Sequence, residues 1–258
     1  VKKLFSKTAG FSSRSWTSPL LAAAFLPLLA AALWTTWRLL CELAGKRLPL
    51  TPVLAGAGGY VLLHLLFQKP MRLYVFGHEL THALAAWLSG FRVKSMKVSA
   101  KGGEVSLSDS NLLVALSPYC VPFYTLTALG LFEVSRRFVG FAVPPFWYAF
   151  TIGLTFSFHA ALTGHALLQN QPDLRYAGTF FSLVLILFSN VLVFVLLLKI
   201  LFPANVPLKP LAAHFVSATL IILDRLAQFA VWAGVKGWTF SKTLFGKVGP
   251  LALKFKNP

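Results

Sequence analysis

The stretch MRLYVFGHELTHALAAWLSG, Met71–Gly90, is apolar enough for a membrane helix yet carries two imidazoles and a carboxylate at its centre. Lys69-Pro70 interrupts the apolar run before it, and Gly90 supplies a helix stop after it. On a helix, residues i and i+4 lie on one face a turn apart, so His78 and His82 project together and can grip one metal ion. Glu79 is offset by about 100° and can reach a water held by that metal. This is the logic of H-E-x-x-H as a hydrolytic zinc motif, with Glu79 as general base and acid. Such groups are costly in lipid and mark working sites. The competing reading is a buried polar knot between helices.

Outward from this stretch the chain is membrane-like. Of 258 residues, 57% are hydrophobic and 12% charged, against about a quarter charged in soluble domains. Long apolar runs extend over Leu20–Leu40, Pro52–Phe67, Leu112–Val134, Phe141–Leu168 and Thr179–Phe202. The first is longer than the core of a signal peptide and reads as a retained span. The second is short, contains Gly56, Gly58 and Gly59, and reads as tilted and partly re-entrant. Pro118 and Pro122 should kink the third run, and Pro144-Pro145 lies near the start of the fourth. The expected fold is an all-α polytopic membrane protein of about six transmembrane helices with one small membrane-associated β-hairpin.

That hairpin is predicted at residues 91–108, where apolar and polar residues alternate around Gly102-Gly103. A turn at the two glycines pairs Lys101 with Glu104, Ser99 with Ser106 and Lys97 with Ser108. It sets Ala100 against Val105 and Val98 against Leu107 on the other face.

The 24 Lys+Arg against 7 Asp+Glu leave a net charge of +17. No nucleic-acid recognition motif accompanies this excess, so nucleic acid is not an expected partner. Its placement between apolar runs and in the tail suits cytoplasmic loops and anionic lipid headgroups. Lys2, Lys3, Lys7 and Arg14 argue for a cytoplasmic N-terminus. Three spans before Gly90 would then put the hairpin's Arg92, Lys94, Lys97 and Lys101 outside; a non-spanning second segment reconciles the two. Residues 1–202 read as the membrane-embedded domain and 203–258 as a basic amphipathic tail. Within the tail, Leu211–Trp232 carries a polar stripe of His214, Ser217, Thr219, Asp224, Arg225 and Gln228. An interfacial helix and a seventh span compete there. Cys41 and Cys120 have no C-x-x-C partner, so neither a disulfide framework nor a thiolate metal site is expected.

A catalytic zinc takes a third protein ligand. The best donor is Asp173, in the polar interruption Gln169-Asn-Gln-Pro-Asp-Leu174 between two apolar runs; its bland reading is a loop acid or cap paired with Arg175. Glu104 is expected to face Lys101, and Asp109 to cap the following helix. His159 and His165, six residues apart, are candidates for a substitute ligand, an oxyanion donor or interhelical hydrogen bonds. His64 and His214 have no supporting context.

Phe76-Gly-His-Glu-Leu-Thr-His-Ala-Leu-Ala-Ala-Trp-Leu-Ser-Gly90 resembles the site-2 protease family of intramembrane zinc metalloproteases. Members carry H-E-x-x-H in a membrane helix, soon followed by a glycine-containing hairpin, here residues 92–108. Their third ligand is an aspartate in a segment with Asn, Pro and Leu-Asp-Gly, to which Asn170, Pro172 and Asp173 are similar. The likeness covers roughly residues 70–200. It departs at Thr81, where the family usually has Gly, and at Asp173, which follows Pro172 directly and precedes Leu-Arg. The resemblance implies zinc held by His78, His82 and Asp173, with Glu79 catalytic. It implies cleavage of a transmembrane or membrane-anchored protein by an integral, multi-pass enzyme, expected in a bacterial inner membrane. Helical peptide bonds are shielded by their own hydrogen bonds, so an edge of 93–108 is expected to hold substrate extended by β-addition. The rival class is a non-proteolytic membrane metalloprotein, either a metal transporter or an inactive scaffold.

Overall fold

The computed structural model describes residues 17–46, 48–67, 69–99, 102–169 and 171–252, with 17–18 and 237–252 as backbone alone. The expectations for Lys2, Lys3, Lys7, Arg14, Ala100, Lys101 and Asn170 lie outside the described residues. The elements run α1 (Thr17–Ala44), α2 (Thr51–Leu66), α3 (Met71–Leu88), β1 (Val93–Ser99), β2 (Gly102–Leu107), α4 (Leu112–Cys120) and α5 (Phe123–Val134). After a π-helical turn at Ser135–Val139 come α6 (Pro145–Leu167), a single 3-10 turn at Asp173–Arg175, α7 (Thr179–Leu201) and α8 (Leu208–Ala252).

Each expected apolar run forms helix, and the breaks fall where the chemistry requires them. Gly90 takes a left-handed φ of 78° just after α3, a conformation that costs glycine least. The kink expected at Pro118 and Pro122 is a full break between α4 and α5, whose axes bend by 74°. Asn111, not Asp109, caps α4: its side chain accepts from the Val114 N–H at 2.8 Å. Asp109 instead accepts from Ser110 N–H, because it sits two residues too early to reach the first helical turn.

Among the described residues, three helices are long and apolar enough to cross a membrane: α1, α7 and the Leu208–Lys236 part of α8. The number rises to five if the bent pairs α2/α3 (118°) and α4/α5 each form one span. The protein is thus a helical one with membrane-compatible segments. At 23 residues α6 has the length, but His159, His165 and three threonines dilute its apolar character.

Two packing themes position the site. Leu39 and Leu43 of α1 cluster with Leu198 and Phe202 of α7, while Ala22 and Phe25 meet Ala177 and Phe181 at the other ends, so α1 and α7 run parallel. α8 turns back along them: Leu211 joins the first cluster and Phe215 faces Phe188 at 6.3 Å. On the other side α2 lies against α6, also in parallel, with Gly56 against Phe150 and Leu154 and Gly153 against Val53. A Cβ at either glycine would collide with the opposing backbone, which is how small residues let membrane helices approach closely.

The hairpin forms, but in a different register. The observed pairs are Ser99 with Gly102, Val98 with Gly103, Lys97 with Glu104, Met96 with Val105 and Ser95 with Ser106. The two glycines begin β2, and Glu104 pairs with Lys97. The two registers have the same parity, so alternation alone does not separate them. The tertiary fit of Gly103 against α3 does.

Candidate metal centre

His78 and His82 project from one face of α3, with ring centroids 4.8 Å apart. Asp173 arrives from the 3-10 turn between α6 and α7. Its Oδ2 lies 3.7 Å from His78 Nε2 and 3.5 Å from His82 Nε2. One nitrogen from each imidazole and one carboxylate oxygen all lie within 4.8 Å of one another. Among the described residues this is the one group of three such side chains arranged to hold a metal ion. Tetrahedral zinc with ligands near 2.1 Å spaces its donors by about 3.4 Å, so the aspartate–imidazole separations fit. The donor set, two neutral nitrogens and one carboxylate oxygen, suits zinc among several divalent ions. His82 and Asp173 are buried and His78 nearly so.

The surroundings fix the orientation of each donor. His82 Nδ1 lies 2.7 Å from the Val114 carbonyl, so Nδ1 carries the hydrogen and Nε2 keeps a lone pair. Tyr74, one turn before His78, brings its hydroxyl to 3.4 Å from His78 Nδ1. Tyr119 is fully buried; its hydroxyl donates to Asp173 Oδ2 at 3.0 Å and its ring stands edge-on to His78 at 5.2 Å. The loop bearing Asp173 is anchored on both sides. Leu174 sinks into a core with Leu116, Tyr119, Ala166 and Ile186, and its carbonyl accepts from Ser182. Tyr176 donates to the Ser110 carbonyl.

Glu79 is buried beside this group, on the flank of α3 that faces the hairpin. Gly103 lies directly over it: a Cβ there would come within 2.5 Å of Glu79 Cγ and 2.6 Å of Val75 Cγ1. Only glycine lets the strand approach so closely. The carboxylate is thus held between the histidine helix and the backbone of β2, without an Arg or Lys ion pair among the described residues.

The structure thus brings His78, His82 and Asp173 together as a group that could hold a metal ion, with Glu79 buried next to it on α3. It separates the other candidates. His159 is buried and its Nε2 lies 3.1 Å from Asn190 Oδ1; it is not among the three candidate ligands. His165 contacts Lys69 at 3.1 Å and Gln169 at 2.9 Å near the end of α6. His64 pairs with Tyr60, and His214 is exposed on α8. Sequence reasoning missed Tyr74, Tyr119, the Val114 carbonyl and Gly103. For Tyr74 the i−4 spacing from His78 was an available signal. For Tyr119, 54 residues before Asp173, nothing local pointed to the pairing.

Comparison of the chain with protein-family models, with curated proteins and with solved structures finds no match.

Proposed function

We propose that the chain is a zinc-dependent endopeptidase that cleaves transmembrane or membrane-anchored proteins, similar in plan to site-2 proteases. The observation that carries this reading is the position of Glu79: a buried carboxylate beside a His-His-Asp donor set, covered by a β-strand. A transport or scaffold site needs the donor set but has little use for that carboxylate. When bound, zinc in such a set polarises a peptide carbonyl and makes water a nucleophile near neutral pH. Glu79 takes the proton from the attacking water and delivers it to the leaving nitrogen. Tyr119 and the Val114 carbonyl hold Asp173 and His82 in place while this happens. An exposed edge of the hairpin holds the substrate extended beside Glu79 by adding it as a strand.

The chain directions support a membrane arrangement for this chemistry. Counting each bent pair as one span gives five with α1, α7 and α8, and adding α6 makes six crossings. Strict alternation then runs α1 parallel to α7, α2 parallel to α6 and α8 opposite to α7, as their contacts have it. It also places the hairpin's Arg92, Lys94 and Lys97 on the side where α1 starts. That is the side on which Lys and Arg accumulate in a bacterial inner membrane. Anionic headgroups there are the natural partners of these cations.

The test is Glu79→Gln in protein reconstituted with a transmembrane peptide. Cleavage should fall by about 10²–10⁴-fold, with zinc content unchanged. Normal cleavage by this variant would remove Glu79 from the mechanism and the proteolytic reading with it.

A further inference from the structure

His78 sits on a boundary. On one side of it, Val75, Glu79 and His82 face the hairpin and Asp173. On the other, Tyr74, Gly77 and Thr81 line a small cavity that His78 also borders. Helical geometry, at about 100° per residue, separates these two flanks of α3. The metal donors therefore lie between a strand edge and a cavity, the arrangement in which an extended substrate places one side chain beside the bond being cut.

The far wall of the cavity comes from Tyr124 of α5 and from Phe158 and His159 of α6. Its volume is about 20 Å³, enough for a methyl group or a water. Aromatic rings set that limit. Phe158 packs edge-on against Tyr124 at 5.2 Å and against Tyr60 at 5.3 Å, so the wall is braced from α2 through α6 to α5.

The polar groups of the wall are engaged elsewhere. Thr81 Oγ1 donates to the Gly77 carbonyl at 2.6 Å, and the Tyr124 hydroxyl donates to the Leu73 carbonyl at 2.5 Å. His159 is engaged by Asn190, and the Tyr74 hydroxyl lies against His78 Nδ1. A charged or amide side chain entering this space would lose water and find no partner.

We propose that this cavity is the subsite for the substrate residue next to the scissile bond, and that it restricts that residue to glycine or alanine. This rests on the proteolytic reading above. Phe158 is the specificity-determining residue: it closes the end of the cavity without touching the metal donors.

The experiment uses the zinc-loaded full chain in liposomes and a set of transmembrane peptides. Gly, Ala, Val, Leu or Phe is placed in turn at each position flanking the cut, and products are located by mass spectrometry. At one flanking position, Ala or Gly should be cleaved about 10–200-fold faster than Leu or Phe. Phe158→Ala should bring Val and Leu close to Ala at that position, with Phe158→Leu intermediate. Equal cleavage of Ala and Leu at every flanking position overturns the proposal. So does a Phe158→Ala protein with wild-type zinc content and an unchanged profile.

A second measurement does not depend on turnover. Dissociation constants are measured for hydroxamates bearing methyl, isobutyl or benzyl side chains on zinc-loaded wild type and Phe158→Ala. Methyl should bind at least about tenfold tighter than benzyl to wild type, and the preference should shrink in the variant. If benzyl binds wild type as well as methyl does, the cavity is not the subsite. If no peptide is cleaved but the methyl preference holds, the proteolytic reading fails while the size limit stands.

Discussion

Helices α3 and α6 each carry two histidines among apolar residues, and the two pairs have different fates. In α3 the spacing of four stacks His78 and His82 on one face, where Asp173 meets them at 3.7 and 3.5 Å. In α6 the spacing of six turns the rings apart: His159 points inward to Asn190 of α7, and His165 points to Lys69 and Gln169 near the helix end. Residue type and apolar context are the same in both. The difference teaches that helical phase, followed by the arrival of a carboxylate, converts imidazoles into a donor set. A buried histidine outside that phase becomes an interhelical hydrogen bonder.

The contrast is open to direct attack. The largest effect should follow His82→Ala, which removes one of three donors and leaves Asp173 with a single imidazole. Zinc content of the purified protein, measured by elemental analysis, should fall to background. Full retention would show that the α3 pair is no more a metal site than the α6 pair. Tyr119→Phe should act next most strongly. It removes the hydroxyl that holds Asp173 Oδ2, and zinc affinity measured by competition with a chelator should weaken by about 10–100-fold. An unchanged affinity would mean that the aspartate is oriented by its loop alone.

The α6 histidines should behave differently. His159→Ala leaves the half-buried Asn190 without its ring partner. It should cost about 1–3 kcal/mol of stability, read by thermal denaturation in detergent, with zinc content unchanged. Loss of zinc in this variant would draw α6 into the metal centre and break the distinction. His165→Ala, at the half-exposed end of the helix, should change stability by no more than about 0.5 kcal/mol and zinc content not at all.

Hydrophobic length and helical phase are local properties, and they were legible in the chain. Apolar runs and their proline and glycine breaks marked α1 to α7 to within a few residues. The i, i+4 spacing of His78 and His82, and the isolation of Asp173 in a polar break between two apolar runs, mark the candidate centre in the sequence itself. Even there the fit was incomplete: Asp109 looked like a cap, and Asn111, two residues later, is the one that reaches the Val114 N–H.

Tertiary packing decided the rest, because it depends on groups brought together from distant parts of the chain. The strand register is one case, since the expected and observed pairings keep the same side chains on the same faces, and the observed one sets Gly103 close against Glu79. The hydroxyl of Tyr119 on Asp173, the close approach of α2 to α6 at Gly56 and Gly153, and the small cavity beside His78 are others. Periodicity assigns a residue to a face of its own helix. It does not say which residue, dozens of positions away, will be pressed against that face, because that choice is made by shape and close packing in three dimensions.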